Sequence, residues 1–158
     1  MNDKDSRDSR DSKDFRISVD IDAPPARVWS VMSDVERWSN WTASITSIKR
    51  RDAGPLAVGS SAWVRQPKLP PALWKVTMLE SNRGFNWVSR GPGVLVTGGH
   101  WIEPTAQGSR VTLSVGIRGL FAGLLARLTG AITDRYLGLE AAGLKRQCEA
   151  LSATGSVR

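Results

Sequence analysis

Phe15-Arg16-Ile17-Ser18-Val19-Asp20-Ile21-Asp22 alternates strictly between apolar and polar residues, the period of a strand with one buried face. Ala23-Pro24-Pro25 ends it. A proline costs little in a first helical turn, where its missing N–H would have had no partner. Val28, Trp29, Val31 and Met32 then recur at helical spacing and predict a first helix. Asp34 is placed to cap a second, short helix through Glu36 and Arg37, ending near Trp38 or Asn40.

From Ser44 the period changes to that of strands. Six are predicted, over about 44–51, 59–66, 72–81, 84–91, 94–103 and 109–118. Turn chemistry separates them: Asp52-Ala53-Gly54-Pro55, Pro67 to Pro71, Asn82-Arg83-Gly84, Gly91-Pro92-Gly93, and Pro104 through Gly108. Short connections between consecutive strands imply an antiparallel meander, since parallel strands need long crossovers. After Gly119 the helical period returns. Leu137, Ala141, Leu144, Cys148 and Leu151 form one stripe, and Leu124, Leu128, Ile132, Tyr136 and Leu139 a second beside it. Gly130 is expected to break this segment into a short piece near 121–128 and a main helix near 131–152. Gly138 and Gly143 suggest close backbone approach or lowered helix stability.

The order strand, two helices, six strands, long helix resembles the START-like (SRPBCC) superfamily, also called the Bet v 1-like or helix-grip fold. Within it the chain is most similar to the polyketide cyclase/dehydrase group. The residues that carry the resemblance are Ile21-Asp22-Ala23-Pro24-Pro25-Ala26-Arg27-Val28-Trp29 and Asp34-Val35-Glu36-Arg37-Trp38-Ser39-Asn40-Trp41. Val58-Gly59-Ser60, His100-Trp101-Ile102-Glu103 and Ser109-Arg110-Val111-Thr112-Leu113 continue it, so that it spans about Phe15 to Leu151. The expected fold is therefore α+β, with a curved antiparallel sheet gripping a long C-terminal helix around an apolar cavity. Most of these motif residues also have structural explanations: Trp29 packs helix on sheet, and Trp38 with Trp41 seals the corner between helix and strand.

Composition narrows the remaining choices. Residues 1–14 repeat Asp-Ser-Arg and lack an apolar side chain after Met1, so this segment is expected to be a disordered charged tail. The domain is expected over 15–152, with a flexible C-terminus over 153–158. Cys148 is the single cysteine and His100 the single histidine, which excludes an internal disulfide and a cysteine- or histidine-rich metal site. No metal or other cofactor is expected. No apolar run reaches the roughly 18 residues of a membrane span, and Met1-Asn2-Asp3-Lys4 does not lead into a signal-peptide core. The chain is therefore expected to be cytoplasmic. The net charge of +7 resides outside the tail, mostly on scattered arginines. The charge raises the question of nucleic acid or an anionic membrane, but its scatter reads as a solvated basic surface, so no specific nucleic acid is expected and weak association with RNA or an anionic membrane is a secondary reading.

Alternation assigns the cavity lining. Trp74, Val76 and Met78 of the fourth strand are placed inward, with Phe85, Trp87 and Ser89 of the fifth. Val96, Gly98, His100 and Ile102 form the inward set of the sixth, unless a bulge at Gly98-Gly99 shifts the register. Leu128, Ile132, Tyr136 and Leu139 are expected to close the cavity from the helix. Gly98-Gly99 either leaves room for a ligand or lets the sheet bend. His100, Tyr136 and Arg90 are the candidate polar groups. His100 could orient a ligand carbonyl or exchange a proton near neutral pH.

No Gly-x-Ser-x-Gly elbow, phosphate loop or evident carboxylate pair stands in the sequence. The resemblance implies three functions. The first is binding, with or without transport, of a small hydrophobic ligand such as a lipid, quinone or polyketide-like metabolite. The second is cyclase/aromatase or dehydratase chemistry on a poly-ketone, with His100, Tyr136 and Arg90 as its groups. The third is a basic interaction module. Binding asks least of the residues present, and either a monomer or a homodimer would serve it.

Overall fold

A computed structural model describes residues 12–154 of the chain, with side chains through Leu151. Strand β1 (Ser12–Ile21) is followed by helix α1 (Pro25–Ser33) and a 3-10 helix (Val35–Asn40). A meander then runs through β2 (Ser47–Arg50), β3 (Ser61–Arg65), β4 (Ala72–Glu80), β5 (Gly84–Gly91), β6 (Val94–Thr105) and β7 (Gly108–Arg118), before helix α2 (Ala122–Thr154). All seven strands form one sheet in the order β1-β7-β6-β5-β4-β3-β2, every neighbouring pair antiparallel. The first strand thus returns to pair with the last. This is the α+β helix-grip arrangement that the element order predicts.

Several expectations need correction. Ser12, Lys13 and Asp14 belong to β1, where they pair with Arg118, Ile117 and Gly116; the expected tail otherwise falls on residues 1–11, outside the described residues. Asp34 precedes the 3-10 helix but makes no side-chain capping bond; its carboxylate lies 3.4 Å from Arg37 Nε instead. Gly130 does not break α2, which is one helix of 33 residues. A single glycine costs a helix only about 1 kcal/mol, and good helix formers precede it. The Thr129 and Thr133 hydroxyls donate to Leu125 O and Thr129 O, staying inside the helical ladder.

The buried core is one large cluster and one small one. The large cluster joins Val28 and Met32 of α1, Trp38, the inner faces of the sheet at Val76, Phe85, Trp87 and Leu113, and Leu137, Leu144 and Cys148 of α2. The small cluster, Ile117, Ala122 and Ala126, anchors the start of α2 to the end of β7. Between the two, helix and sheet do not meet completely.

Gly143 fixes how α2 seats. A Cβ there would lie 2.1 Å from the Trp41 carbonyl oxygen, so only a glycine lets the helix backbone rest on this corner. Gly138 has no such neighbour within 4 Å. Burial pushes the Cys148 thiol up to about 11.

Candidate functional site

The space between the two core clusters is a cavity of about 240 Å3. The sheet contributes Val64, Trp74, Ser89, Val96, Val115 and Ile117, and the β3–β4 loop adds Leu69 and Pro70. From α2 come Leu125, Thr129, Thr133, Tyr136, Leu137 and Glu140. The lining is mostly apolar, with a single charged side chain, Glu140.

Glu140 sits where the helical pattern calls for an apolar residue, four positions after Tyr136 and four before Leu144. It is 8% exposed, and its Oε1 lies 3.1 Å from His100 Nε2. His100 comes from the middle of β6 and is 6% exposed. Its ring stacks on Phe85 with centroids 4.6 Å apart, and Trp38 and Trp87 stand 5.0 and 5.8 Å away. The Nδ1 atom of His100 is buried without a hydrogen-bond partner. A neutral imidazole with its proton on Nε2 satisfies this arrangement: Nε2–H donates to the carboxylate, and the unprotonated Nδ1 leaves no buried donor unpaired.

Four other polar lining groups are committed elsewhere. The Tyr136 hydroxyl donates to Pro67 O and ties the helix to the β3–β4 loop. Gln66 Nε2 donates to Ser44 O at 3.2 Å. The two threonine hydroxyls donate to helix carbonyls. What remains toward the cavity is the Ser89 hydroxyl and acceptor capacity at Glu140, the latter held in place by His100.

Several residues assigned to the cavity by alternation stand elsewhere. Trp74, Val96 and Tyr136 line it. Val76, Phe85, Trp87 and His100 face inward too, but as the packed layer behind it. Met78 is half exposed: a bulge between Val76 and Met78 shifts the β4 register, so that Met78 pairs with Asn86 on the outer face. Arg90 is exposed, one residue out of phase with the inward Ser89. Leu128 is exposed, and Ile132 and Leu139 are only partly buried, because α2 turns the face carrying Leu125, Thr129, Thr133 and Tyr136 to the cavity. The register of β6 has no shift at Gly98-Gly99. Neither glycine leaves open space. A Cβ at Gly98 would lie 2.7 Å from the Trp87 indole nitrogen, and one at Gly99 2.4 Å from Ser114 Oγ.

Glu140 itself was missed by pattern reading. The signal available was a carboxylate within an otherwise apolar helical stripe, a placement that is costly unless it is paired. Among the described residues no cluster of histidine, cysteine or acidic side chains suits a metal ion. No helix of the described residues is long and apolar enough to cross a membrane.

Residues 12–149 match the family described as polyketide cyclase / dehydrase and lipid transport. The chain belongs to this family. Among curated proteins no sequence matches the chain. Solved structures resemble this family member in fold at low identity. The Zhui aromatase/cyclase from a Streptomyces species superimposes with a TM-score of 0.75 at 13% identity, over 92% of this chain and 98% of the other. A Thermus thermophilus protein gives 0.71 at 18% identity, over 89% and 99%. Ara h 8.0201 gives 0.67 at 16% identity, over 88% and 99%. All three share the sheet-and-helix grip.

Proposed function

We infer that the protein binds a compact hydrophobic ligand carrying a hydrogen-bond donor, in the cavity between sheet and α2. The observation that carries this reading is an apolar lining whose single charged group is the Glu140 carboxylate. A ligand hydroxyl, phenol or amine would meet an acceptor there. A ligand carbonyl oxygen would be disfavoured beside that carboxylate and would need the Ser89 hydroxyl as its donor. At about 240 Å3 the cavity is smaller than the about 300–1,000 Å3 usual for drug-sized ligands, which favours a ring system or short chain of modest size.

Native mass spectrometry of the purified chain tests the reading, with organic extraction to identify any adduct. A stoichiometric apolar molecule is expected in the wild type. Ser89→Trp, which fills the cavity from the sheet, should exclude it while the fold persists. Retention of the same adduct by that variant would place the ligand elsewhere.

A second reading is cyclase or dehydratase chemistry, as the family description suggests. The buried His100–Glu140 pair supports it: a carboxylate steadied by a histidine and facing a mostly apolar cavity could take a proton from a bound poly-ketone. Activity on a poly-ketone that survives Glu140→Gln unchanged would remove this carboxylate from the reaction.

A further inference from the structure

The start of α2 leaves large apolar side chains in solvent. Leu120 is 77% exposed, Phe121 49%, Leu124 58% and Leu128 74%. Scattered exposed leucines are ordinary, but four large apolar side chains within nine residues form a patch. Helical spacing sets Leu124 and Leu128 on the same turns as Leu125 and Thr129, which line the cavity. Two other segments reach this end of the molecule. The β3–β4 loop supplies Leu69 and Pro70 to the same lining. The turn between β5 and β6 packs on the patch: a Cβ at Gly93 would fall 2.5 Å from Phe121 Cδ2.

The charge of these three segments has one sign. Between Asp52 and Glu80 the charged residues are Arg65, Lys68 and Lys75; between Glu80 and Glu103, Arg83 and Arg90; between Glu103 and Asp134, Arg110, Arg118 and Arg127. This end therefore presents Lys68, Arg90, Arg118 and Arg127. Asp14 reaches it from β1, where its carboxylate lies 3.4 Å from Arg118. The next acid along α2, Asp134, stands more than a turn beyond Leu128.

An apolar patch ringed by cations fits a partner that is anionic outside and apolar beneath. A second copy of the chain fits poorly, because a two-fold interface would bring together two patches of the same positive sign. We propose that this end of the molecule docks on an anionic lipid bilayer. Leu120, Phe121, Leu124 and Leu128 enter the boundary between headgroups and acyl chains, and Lys68, Arg90 and Arg127 meet the lipid phosphates. The cavity rim then opens beside the lipid, so an apolar ligand passes between them with little exposure to water. That last consequence rests on the ligand-binding reading; the docking itself does not.

Flotation of the full chain with phosphatidylglycerol/phosphatidylcholine vesicles, and with phosphatidylcholine alone, tests the proposal. The wild type should float with the anionic vesicles and be released as salt rises. Leu124→Asp with Leu128→Asp should weaken this binding at least tenfold at low salt. Arg90→Glu with Arg127→Glu should weaken it by at least about the fivefold expected per cation. These side chains are exposed, so circular dichroism should show all variants folded. Absence of wild-type flotation, or leucine variants that float like the wild type, would overturn the proposal. So would light scattering that shows a wild-type dimer made monomeric by the leucine changes, since the patch would then be a self-interface. Ser89→Trp separates the two readings: it should lose the cavity ligand yet still float. Loss of flotation in that folded variant would count against docking through the surface patch.

Discussion

Alanine at Gly143 and alanine at Gly138 should have opposite effects on stability, although both lie in the same helix five residues apart. Helix propensity alone favours each change by about 1 kcal/mol. At Gly138 nothing lies within 4 Å of a new Cβ, so that gain stands and the variant should be stabilised by up to about 1 kcal/mol. At Gly143 the new Cβ would lie 2.1 Å from Trp41 O, 3.1 Å from its carbonyl carbon and 3.2 Å from Cε3. A backbone carbonyl cannot swing aside as the end of a side chain can. Trp41 is also pinned, its N–H donating to Trp38 O at 3.1 Å and its ring packed on Trp38 with centroids 5.6 Å apart. Helix and corner must therefore part, disturbing Ala141 and Leu144 in the core. Overpacking of this kind costs about 1–3 kcal/mol; for so rigid a neighbour we take the upper end, leaving about 2 kcal/mol net destabilisation after the propensity gain. The two variants then differ by about 3 kcal/mol, or about 6–12 °C in Tm for a chain of this size. Thermal unfolding followed by circular dichroism, with urea titration as a check on the slope, measures this. Equal stabilisation of both variants would refute the seating of α2 on Trp41.

Four further outcomes follow from buried residues. Glu140→Leu leaves the His100 Nε2–H without its acceptor and should cost about 1–3 kcal/mol; adding His100→Leu should recover part of that loss, and strict additivity in urea denaturation would show that the pair is not coupled. Cys148 should resist alkylation at pH 8 in the folded chain and react once it is unfolded, because burial holds the thiol protonated. The same shift, from 9.0 to about 11, means that above pH 9 the unfolded chain releases a proton the folded chain keeps. Stability from this group is therefore full below pH 9 and lost as pH rises towards about 11, and a Cys148→Ala variant should lack that component in a pH series of urea melts. Gly98→Ala should displace the Trp87 indole, shifting tryptophan emission and lowering stability by about 1–3 kcal/mol; unchanged emission and Tm would show that the strand has spare room there.

The inward face of β6 could be read from alternation because a half-buried strand repeats every two residues and no bulge intervenes at Gly98-Gly99. The same rule failed for Met78, since a bulge moves the pairing by one residue and turns the side chain to the other face. On α2 the difficulty was different. Its apolar residues cover more than one face, so periodicity could not tell the stripe against the cavity from the stripe left in solvent. Leu128 and Leu124 belong to the second, and the cavity took Leu125 and Thr129 instead. Glu140 was hidden because its partner, His100, lies 40 residues earlier on another element.

The sequence alone determined the order of elements, the antiparallel meander, the return of a long helix to the sheet and the family resemblance, because these depend on local periods and turn chemistry. Only the tertiary structure decided which helix face meets the sheet, that Gly143 rather than Gly138 seats the helix, and that the carboxylate lining the cavity pairs with a buried histidine behind it. Each of those depends on contacts between residues far apart in the chain, where packing and the need to pair buried polar groups override the local pattern.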